Sequence, residues 1–459
     1  MGLIKAMRWF FYGLLAKHNN IANDFGITLF NNYDMNEALK QWDELYRAPK
    51  GMQFASVIAS EVARLATLEF EVGVDDVTAR GDIIKRVLKR ELSNNLRKQI
   101  EYGCAYGSLL IKPNFDGKSI SIDHIKPNCF IPVEFDSNNR LTSVICLDRR
   151  TIGGYIYTKA ELCTYKNNKY TVSTRAYVSK DINDFGIEVP LTDVEEWKGI
   201  KKDVLIQNVD RPLFGLFRYP AANNIDIDSP LGVSIFSRSC DALQKLDVAF
   251  DKFNNDIDTS DKVLFVADYL LMTSEAGKRM KRTNPLPKVV KSLNFVTNGT
   301  EVKEWVPEIR DVQYKSAIQM YIDIISIQCG FDAGYFTFDN NSRAIRTATE
   351  VTADQQRTLS TVADVQVEIH NVIEDVIYAI NALISLYRLV TDDVNDVAYT
   401  IKYKDFNLDP EQERNNTLLL IEKGILPKWK YLVDHEGYTE EKAKEFIEQI
   451  GGTESWKKT

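Results

Sequence analysis

The sequence lacks the short motifs that mark common enzymes. Its 459 residues contain no GxxxxGKS or GxxxxGKT phosphate loop, no HExxH and no GxSxG. Histidine is scarce, and the four histidines lie too far apart in the sequence to form a metal-ligand set with near neighbours: His18, His124, His370 and His435. The missing phosphate loop argues against an ATP-hydrolysing motor. Nothing in the sequence predicts a catalytic residue, a metal ion or a cofactor.

Paired cysteines and long apolar runs are missing too. The six cysteines are scattered without a CxxC pair, which is typical of buried thiols in a reducing cytosol. No apolar run reaches the ~18 residues that a membrane-spanning helix needs. Residues 1–17 carry Lys5 and Arg8 before an apolar run, but no small-residue cleavage site follows it. We therefore expect no secretory signal and no membrane span; an anchor on a membrane surface, formed by Met1 to Leu15, stays open as a minor alternative.

The charge balance is acidic. Lysine and arginine number 57 against 65 aspartates and glutamates, giving a net charge of −8 and a pI near 5.4. A protein that coats nucleic acid needs many cations to neutralise phosphates, so this composition argues against such a role. It does not exclude a protein that contacts DNA only weakly.

The N-terminal half predicts helices followed by a sheet. Apolar residues recur at helical spacing over 34–47, 52–70 and Ile83 to Tyr102. From Ser108 to Phe217 the pattern changes to short alternating strands separated by turn residues, among them Gly153-Gly154 and Asn167-Asn168. We predict an α+β fold with a mainly antiparallel sheet.

The central stretch predicts a stalk with a tip. One narrow apolar stripe indicates a helix from Ile235 to Ile257, introduced by Ser229-Pro230, and a second helical pattern spans Pro307 to Cys329. A compact insert, Asp261 to Trp305, separates them. The positions expected to pack the stalks of neighbouring subunits in an oligomer are Phe250, Phe253, Ile257, Ile318, Ile322 and Ile325.

A polar loop and a very long helix follow the stalk. Thr347 and Glu350 have the spacing of a capping box, and apolar residues then recur at helical intervals to about Tyr387, in a helix long enough that we expect a kink. Ala398 to Tyr403 alternates as a strand that we expect to rejoin the sheet. The remainder reads as short helices.

Three segments resemble portal proteins of tailed bacteriophages, in particular the branch found in long-tailed phages of Gram-positive hosts. They are the Ser-Pro-Leu-Gly turn at 229–232, the Cys-Gly-Phe-Asp to Tyr-Phe-Thr-Phe-Asp stretch at 329–339, and Thr-Ala-Thr-Glu-Val at 347–351. The resemblance implies a ring, typically of twelve subunits, at one capsid vertex, with a central channel for packaging and ejecting double-stranded DNA. It further implies docking of the terminase large subunit and a neck or adaptor protein, contacts with the major capsid and scaffolding proteins, and a place in the virion after assembly in the host bacterial cytoplasm.

By this resemblance the chain divides into the named parts of a portal subunit. These are a wing (1–228), an outgoing stem helix (229–260), a clip (261–305), a returning stem helix (306–330), a tunnel loop with a long helix (331–390), a wing return strand (391–409) and a crown-like helical end (410–459).

Two polar clusters are candidate sites. The tunnel loop would touch DNA through Asn340, Asn341, Ser342, Arg343 and Arg346. The clip carries a basic cluster that would dock an acidic partner or contact exiting DNA, made of Lys278, Arg279, Lys281, Arg282, Lys288 and Lys291. The plainer readings are a helix-capping loop and a solvated charged loop. The alternative for the whole chain is a soluble enzyme of uncharacterised fold, with a site assembled from distant residues.

Overall fold

The computed structural model describes most of the chain. The described residues are 24–27, 33–74, 78–93, 95–181, 184–260, 263–267, 290–293, 302–305, 309–337, 356–390, 397–403 and 410–454. The N-terminal segment Met1 to Leu15, the capping-box pair Thr347 and Glu350, and the tunnel-loop candidates lie outside them.

The N-terminal helices pack as the apolar stripes predict, with one correction. Ile83 to Tyr102 is not a single helix, because a π-helix and a short break separate two α-helices. The buried residues here, Ile84 to Ile100, recur every four residues, whereas an α-helix turns once per 3.6. The wider π turn absorbs that mismatch and keeps the stripe buried. The elements are α1 (Tyr33–Tyr46), α2 (Phe54–Ala66), β1 (Glu71–Val74), α3 (Ala79–Val87), the π-helix (Leu88–Ser93) and α4 (Leu96–Tyr106).

Two antiparallel sheets follow. One has the order β10-β2-β3, and the larger has the order β4-β5-β6-β7-β8 with β9 also paired to β7. The strands are in part longer than the short ones expected: β6, for example, runs without a break over 12 residues, because no turn residue interrupts it. The strands are β2 (Ser108–Phe115), β3 (Ile120–Ile125), β4 (Phe130–Phe135), β5 (Leu141–Ile152), β6 (Tyr155–Lys166), β7 (Lys169–Ser179), β8 (Ile187–Val189), β9 (Asp203–Gln207) and β10 (Gly215–Arg218).

The outgoing stalk helix begins later than the sequence predicts. Ser229 to Ser239 is a buried connector without helix, and α5 starts at Cys240. The connector is held by the body of the subunit: the Ile235 amide donates to the Cys104 carbonyl at 2.9 Å, and the Gly232 amide to Ser108 Oγ at 3.2 Å. The Ser229-Pro230 signal therefore introduces a packed crossing of two chain segments instead of a helix.

Two helices flank the insert, as the sequence predicts. The elements are α5 (Cys240–Thr259), β11 (Val263–Ala267), β12 (Val290–Leu293), β13 (Val302–Trp305) and α6 (Asp311–Gln328). The three strands form one sheet in the order β12-β11-β13, in which β12 runs parallel to β11.

A long helix, α7 (Gln356–Leu386), crosses the core. It packs against α2, β2 and β10, and its buried side includes Val362, Val365 and Ile369. By length and hydropathy alone α7 could span a membrane, contrary to our expectation of no such segment, but half of the apolar window is buried inside the fold, as in a core helix. Arg80 of α3 is bonded to the C-terminal end of α7, where it donates to Asn381 Oδ1 at 2.7 Å and to Ser385 Oγ at 2.8 Å.

The remaining elements are β14 (Tyr399–Lys402), α8 (Pro410–Glu422), α9 (Trp429–Glu436) and α10 (Glu440–Glu454). In the described part of the chain β14 pairs with β1 and not with the large sheet. In this part of the chain α9 contacts both α8 and α10, and His435 Nε2 of α9 lies 3.0 Å from Thr417 Oγ1 of α8.

We expect Gly107→Ala to destabilise the subunit severely. Gly107 has φ +82°, which costs a residue with a Cβ about 1–2 kcal/mol, and that Cβ would lie 2.5 Å from the Gly232 carbonyl oxygen. Because the contacting atoms belong to the backbone and cannot move aside, the free energy of unfolding should fall by more than ~3 kcal/mol in total. Urea denaturation measures it. Gly117→Ala is the matched control, since Gly117 has φ +91° with nothing within 4 Å; equal losses in the two variants would contradict the close packing.

Candidate functional site

The stalk is an antiparallel pair of helices anchored at its base. Where α5 begins and α6 ends, the buried Ser239 Oγ and Cys329 Sγ lie 3.5 Å apart. The Met52 amide donates to Asp247 Oδ1 at 2.9 Å, so α5 is also tied to the N-terminal helices. The base of the stalk is therefore continuous with the core of the subunit.

The outer end of the stalk is held by charge and by aromatic packing. Arg310 Nη2 lies 2.9 Å from Asp256 Oδ2 and 2.9 Å from the Tyr314 hydroxyl. The hydrogen bond from Arg310 holds the pKa of Asp256 below its ordinary value. The Tyr314 ring packs on Phe253 with centroids 5.6 Å apart.

The six predicted packing positions fall into two groups. Ile318, Ile322 and Ile325 are buried in the core of their own subunit. Phe250 and Phe253 are half-buried between α5 and α6, and Ile257 is exposed. The first group therefore serves the fold of one subunit, whatever else the stalk does.

The outer faces of the two helices differ in character. The exposed face of α5 is polar and carries mainly charged side chains around Val248: Asp241, Lys245, Asp251, Lys252 and Asp258. Together with polar side chains such as Gln313 and Ser316, α6 exposes four large apolar side chains, since Val312 is 70% exposed, Met320 52%, Ile324 39% and Ile327 45%. Their spacing of eight, four and three residues places them on one side of the helix, opposite the buried isoleucines. The sequence pattern shows that α6 is rich in apolar residues. It does not show which of them pack inside the subunit and which are exposed.

The base of the predicted tunnel loop is closed by hydrogen bonds. Residues 338–355 separate the described segments that end at Thr337 and begin at Gln356. Across this gap, Asp332 Oδ2 accepts from the Thr358 amide at 2.9 Å and from Thr358 Oγ1 at 2.8 Å. Thr361 Oγ1 also donates to the Gly330 carbonyl at 2.8 Å. The chain therefore leaves and re-enters the body at one place.

An aromatic cluster holds this base against the stalk and the body. Phe336 packs against Phe331 and Phe54, with centroid distances of 5.1 and 5.2 Å. The Tyr335 hydroxyl donates to Glu61 Oε1 at 2.5 Å, and Gln319 Nε2 of α6 donates to the Phe336 carbonyl at 3.1 Å. Residues 329–337, which carry part of the resemblance in sequence, thus join the stalk, the N-terminal helices and the base of the loop.

The polar candidates of the two predicted loops lie largely outside the described residues. This holds for Asn340, Asn341, Ser342, Arg343 and Arg346, and for Lys278, Arg279, Lys281, Arg282 and Lys288. Lys291 is in β12, where its backbone is paired in parallel with Phe265 of β11.

A polar cleft between the two sheets has no counterpart in the sequence analysis. Its volume is about 520 Å³, and Lys112 of β2 makes an ion pair with Glu161 of β6 across it. Lys159 Nζ lies 3.8 Å from the same carboxylate. Burial alone would lower the pKa of Lys112, but nearby negative groups, including Glu161, outweigh it and raise that pKa. Burial alone would raise the pKa of Glu161, but the charges of Lys112 and Lys159 outweigh it and lower that pKa.

His124 also lines this cleft. Burial lowers the pKa of His124 to about 4, so its ring is neutral at pH 7. The main charges of the cleft are therefore matched within it, as in a structural ion pair. These residues alternate along separate strands, and no sequence spacing indicates that they meet.

The comparisons agree with this geometry. The family described as "Phage portal protein, SPP1 Gp6-like" matches residues 29–451, which span the wing-like sheet, the stalk, the loop base and the long helix. No curated protein matches the chain. The chain belongs to the SPP1 Gp6-like family of phage portal proteins.

Proposed function

We propose that this protein assembles into a ring, of twelve subunits by resemblance, that forms the channel for DNA packaging and ejection at one capsid vertex. The family is structural rather than enzymatic, and its members act as connectors at the capsid vertex. The observation that carries the proposal for this chain is the exposed apolar face of α6, since one subunit alone leaves four large apolar side chains in water.

The α6 face favours contact with a second copy of the chain. Contiguous apolar patches on monomeric proteins are uncommon and mark interaction sites. A head-to-tail contact, repeated by rotation, closes into a ring and covers the same face on every subunit. Phe250, Phe253 and Ile257 would extend this contact at the outer half of α5. We place the neighbouring subunit against this side of the stalk.

The charged face of α5 suits the channel. The helix carries five aspartates and two lysines, a surplus of three negative charges. A surface that repels phosphates binds DNA weakly, because each phosphate that a cation neutralises adds salt-dependent affinity. Repeated around a ring, this face would let the duplex slide.

The tunnel loop would supply the DNA contacts. Asn340, Asn341 and Ser342 can donate hydrogen bonds to phosphate oxygens, and Arg343 and Arg346 add two cations per subunit. The closed base at Asp332 and Thr358 supports this role, since it fixes where the chain leaves the body before residue 338 and returns to it after residue 355.

The clip would dock other proteins of the packaging and tail machinery. Its six basic residues stand in an otherwise acidic chain and suit an acidic partner. We propose the terminase large subunit during packaging and the neck or adaptor protein afterwards. The wing and the crown-like end would face the major capsid and scaffolding proteins, with assembly in the host cytoplasm and final location in the virion.

Ile324→Asp combined with Ile327→Asp should prevent ring assembly while the subunit still folds. A carboxylate at an apolar contact costs several kcal/mol, so subunit association should weaken at least ~1,000-fold, equivalent to about 4 kcal/mol. Mass photometry measures the oligomer and circular dichroism the fold. Ile187→Asp, at a residue 70% exposed on β8, is the control and should leave rings intact.

Ile325→Asp makes the complementary comparison. Ile325 is wholly buried in its own subunit, so its replacement should abolish folding instead of assembly alone. Full rings from the Ile324/Ile327 variant would show that another surface joins the subunits.

Arg343→Ala with Arg346→Ala should assemble normal rings yet package less DNA, or fail to retain it. The reason is the loss of two phosphate-neutralising cations per subunit. The measurement is the length and yield of DNA protected in filled capsids. Lys166→Ala with Lys169→Ala, which removes two exposed cations from the β6–β7 hairpin, is the control. Normal packaging by the arginine variant would leave the loop as a helix cap.

Reversal of Lys278, Arg279, Lys281 and Arg282 to Glu should leave the ring intact and weaken docking of the terminase large subunit or the adaptor. The loss should shrink at high salt, since exposed charges are screened beyond ~8–10 Å near physiological ionic strength. Binding of each purified partner at low and high salt measures this. Four reversals at Lys166, Lys169, Lys201 and Lys202 are the matched control, and equal docking by both variants at low salt would make the clip cations a solvated loop.

A further inference from the structure

A strongly basic segment, separate in the sequence from the clip and the tunnel loop, lies on the surface of this acidic chain. Residues 79–98 contain seven arginines and lysines against Asp82 and Glu91, a surplus of five positive charges in a chain of net charge −8. Four of these cations are exposed on α3 and the π-helix: Lys85, Arg86, Lys89 and Arg90. We call these four residues the basic ridge.

The fold concentrates these charges on one side. Ile84, Val87 and Leu88 turn inward and are buried, so the four cations share the opposite face. Lys85 and Lys89, and likewise Arg86 and Arg90, stand four residues apart, roughly 6 Å along the axis. Like charges at this spacing repel each other, and an anion bound to this face would reduce that repulsion.

The local acids neutralise the ridge only in part. Arg86 Nη2 lies 3.2 Å from Asp82, but both side chains are more than half exposed, and water screens such pairs. Arg90 is fixed more firmly, since Nε donates to Glu91 Oε1 at 2.5 Å and Nη2 to the Ile120 carbonyl at 2.9 Å. Arg90 therefore anchors the π-helix against β3 while the other three cations face solvent.

The surroundings extend the positive field. Arg97 and Lys98 are exposed on α4. Burial lowers the pKa of Lys126, and the charges of Lys98 and Arg47 act in the same direction, whereas Cys129 and Asp43 raise it.

The composition of the ridge decides between two kinds of polyanion. Protein interfaces have an apolar and aromatic core, but the described part of 79–98 exposes no large apolar side chain. Phosphate backbones need only cations and donors, and Lys-Arg clusters of this length are typical of nucleic-acid patches. We infer that the basic ridge binds the phosphate backbone of double-stranded DNA, as a contact separate from the tunnel loop.

The test uses covalently closed circular duplex DNA, which cannot thread a closed ring. The full-length protein is titrated in a filter-binding assay at several salt concentrations. The variant Lys85→Gln, Arg86→Gln and Lys89→Gln is compared with Lys166→Gln, Lys169→Gln and Lys201→Gln, which removes the same charge from exposed wing positions. The ridge variant should bind at least ~10-fold more weakly near 50 mM salt and show a shallower salt dependence, whereas the control should change less than ~2-fold.

Three readouts separate this proposal from the others. The thermal midpoint of the ridge variant should change little, because all three replaced side chains are exposed. Arg343→Ala with Arg346→Ala should leave circle binding unchanged, so failure of the channel role and failure of the ridge are distinguishable. Equal binding by ridge and control variants would overturn the inference. A second result would also overturn it: poly-glutamate binds as tightly as DNA, and the ridge variant loses that binding. The ridge would then be a docking site for an acidic protein.

Discussion

Two glycines decide how the stalk joins the body. Gly107 ends α4 in a left-handed conformation, and its carbonyl accepts from the Tyr219 amide at 2.9 Å while its Cα faces the backbone of Gly232. No side chain fits between the two segments. The contact brings the start of β2 and the connector to α5 into the same place, so the sheet, the N-terminal helices and the stalk share one core. The direction of the stalk is thereby set by backbone contact.

That fixed direction gives the unlike outer faces of α5 and α6 a consistent meaning. Both helices bury one side against each other and the body. Outside, α5 leaves mainly charged side chains, whereas α6 leaves four large apolar side chains among polar ones. The two faces cannot exchange roles, because the base of the stalk is held by Ser239, Cys329 and the aromatic cluster below. A repeating assembly of such subunits would therefore present one chemistry to its neighbours and another elsewhere.

The order of helices, strands and turns could be read from the sequence because it depends on local patterns. Gly153-Gly154 and Asn167-Asn168 form the expected turns with positive φ, and the helical stripes of α1, α2 and α7 are buried. The errors arose where tertiary contacts override local signals. Ser229-Pro230 indicates a helix start, but the crossing with Gly107 keeps the residues up to Ser239 in a connector of loops and turns. The four-residue spacing from Ile84 to Ile100 looks helical, yet needs a π turn.

The sites were predictable only where they lie in one segment. The polar loop at 340–346 and the clip cations are contiguous and could be named, although they lie outside the described residues. The exposed face of α6 could not be separated from the buried one, because both are apolar. The ion pair of Lys112 and Glu161 joins two sheets, and the pattern of either strand alone carries no sign of its partner.

The buried pair of Lys112 and Glu161 also restricts how this lineage can change. Loss of one partner leaves an uncompensated buried charge, which costs about 3–5 kcal/mol, a large part of the ~5–15 kcal/mol that stabilises a typical domain. Replacement of both by apolar residues is often neutral. Natural variants should therefore keep both residues or lose both, with few intermediates. The two positions are 49 residues apart in the chain, yet they should change together. Their covariation among family members would report the contact between the two sheets.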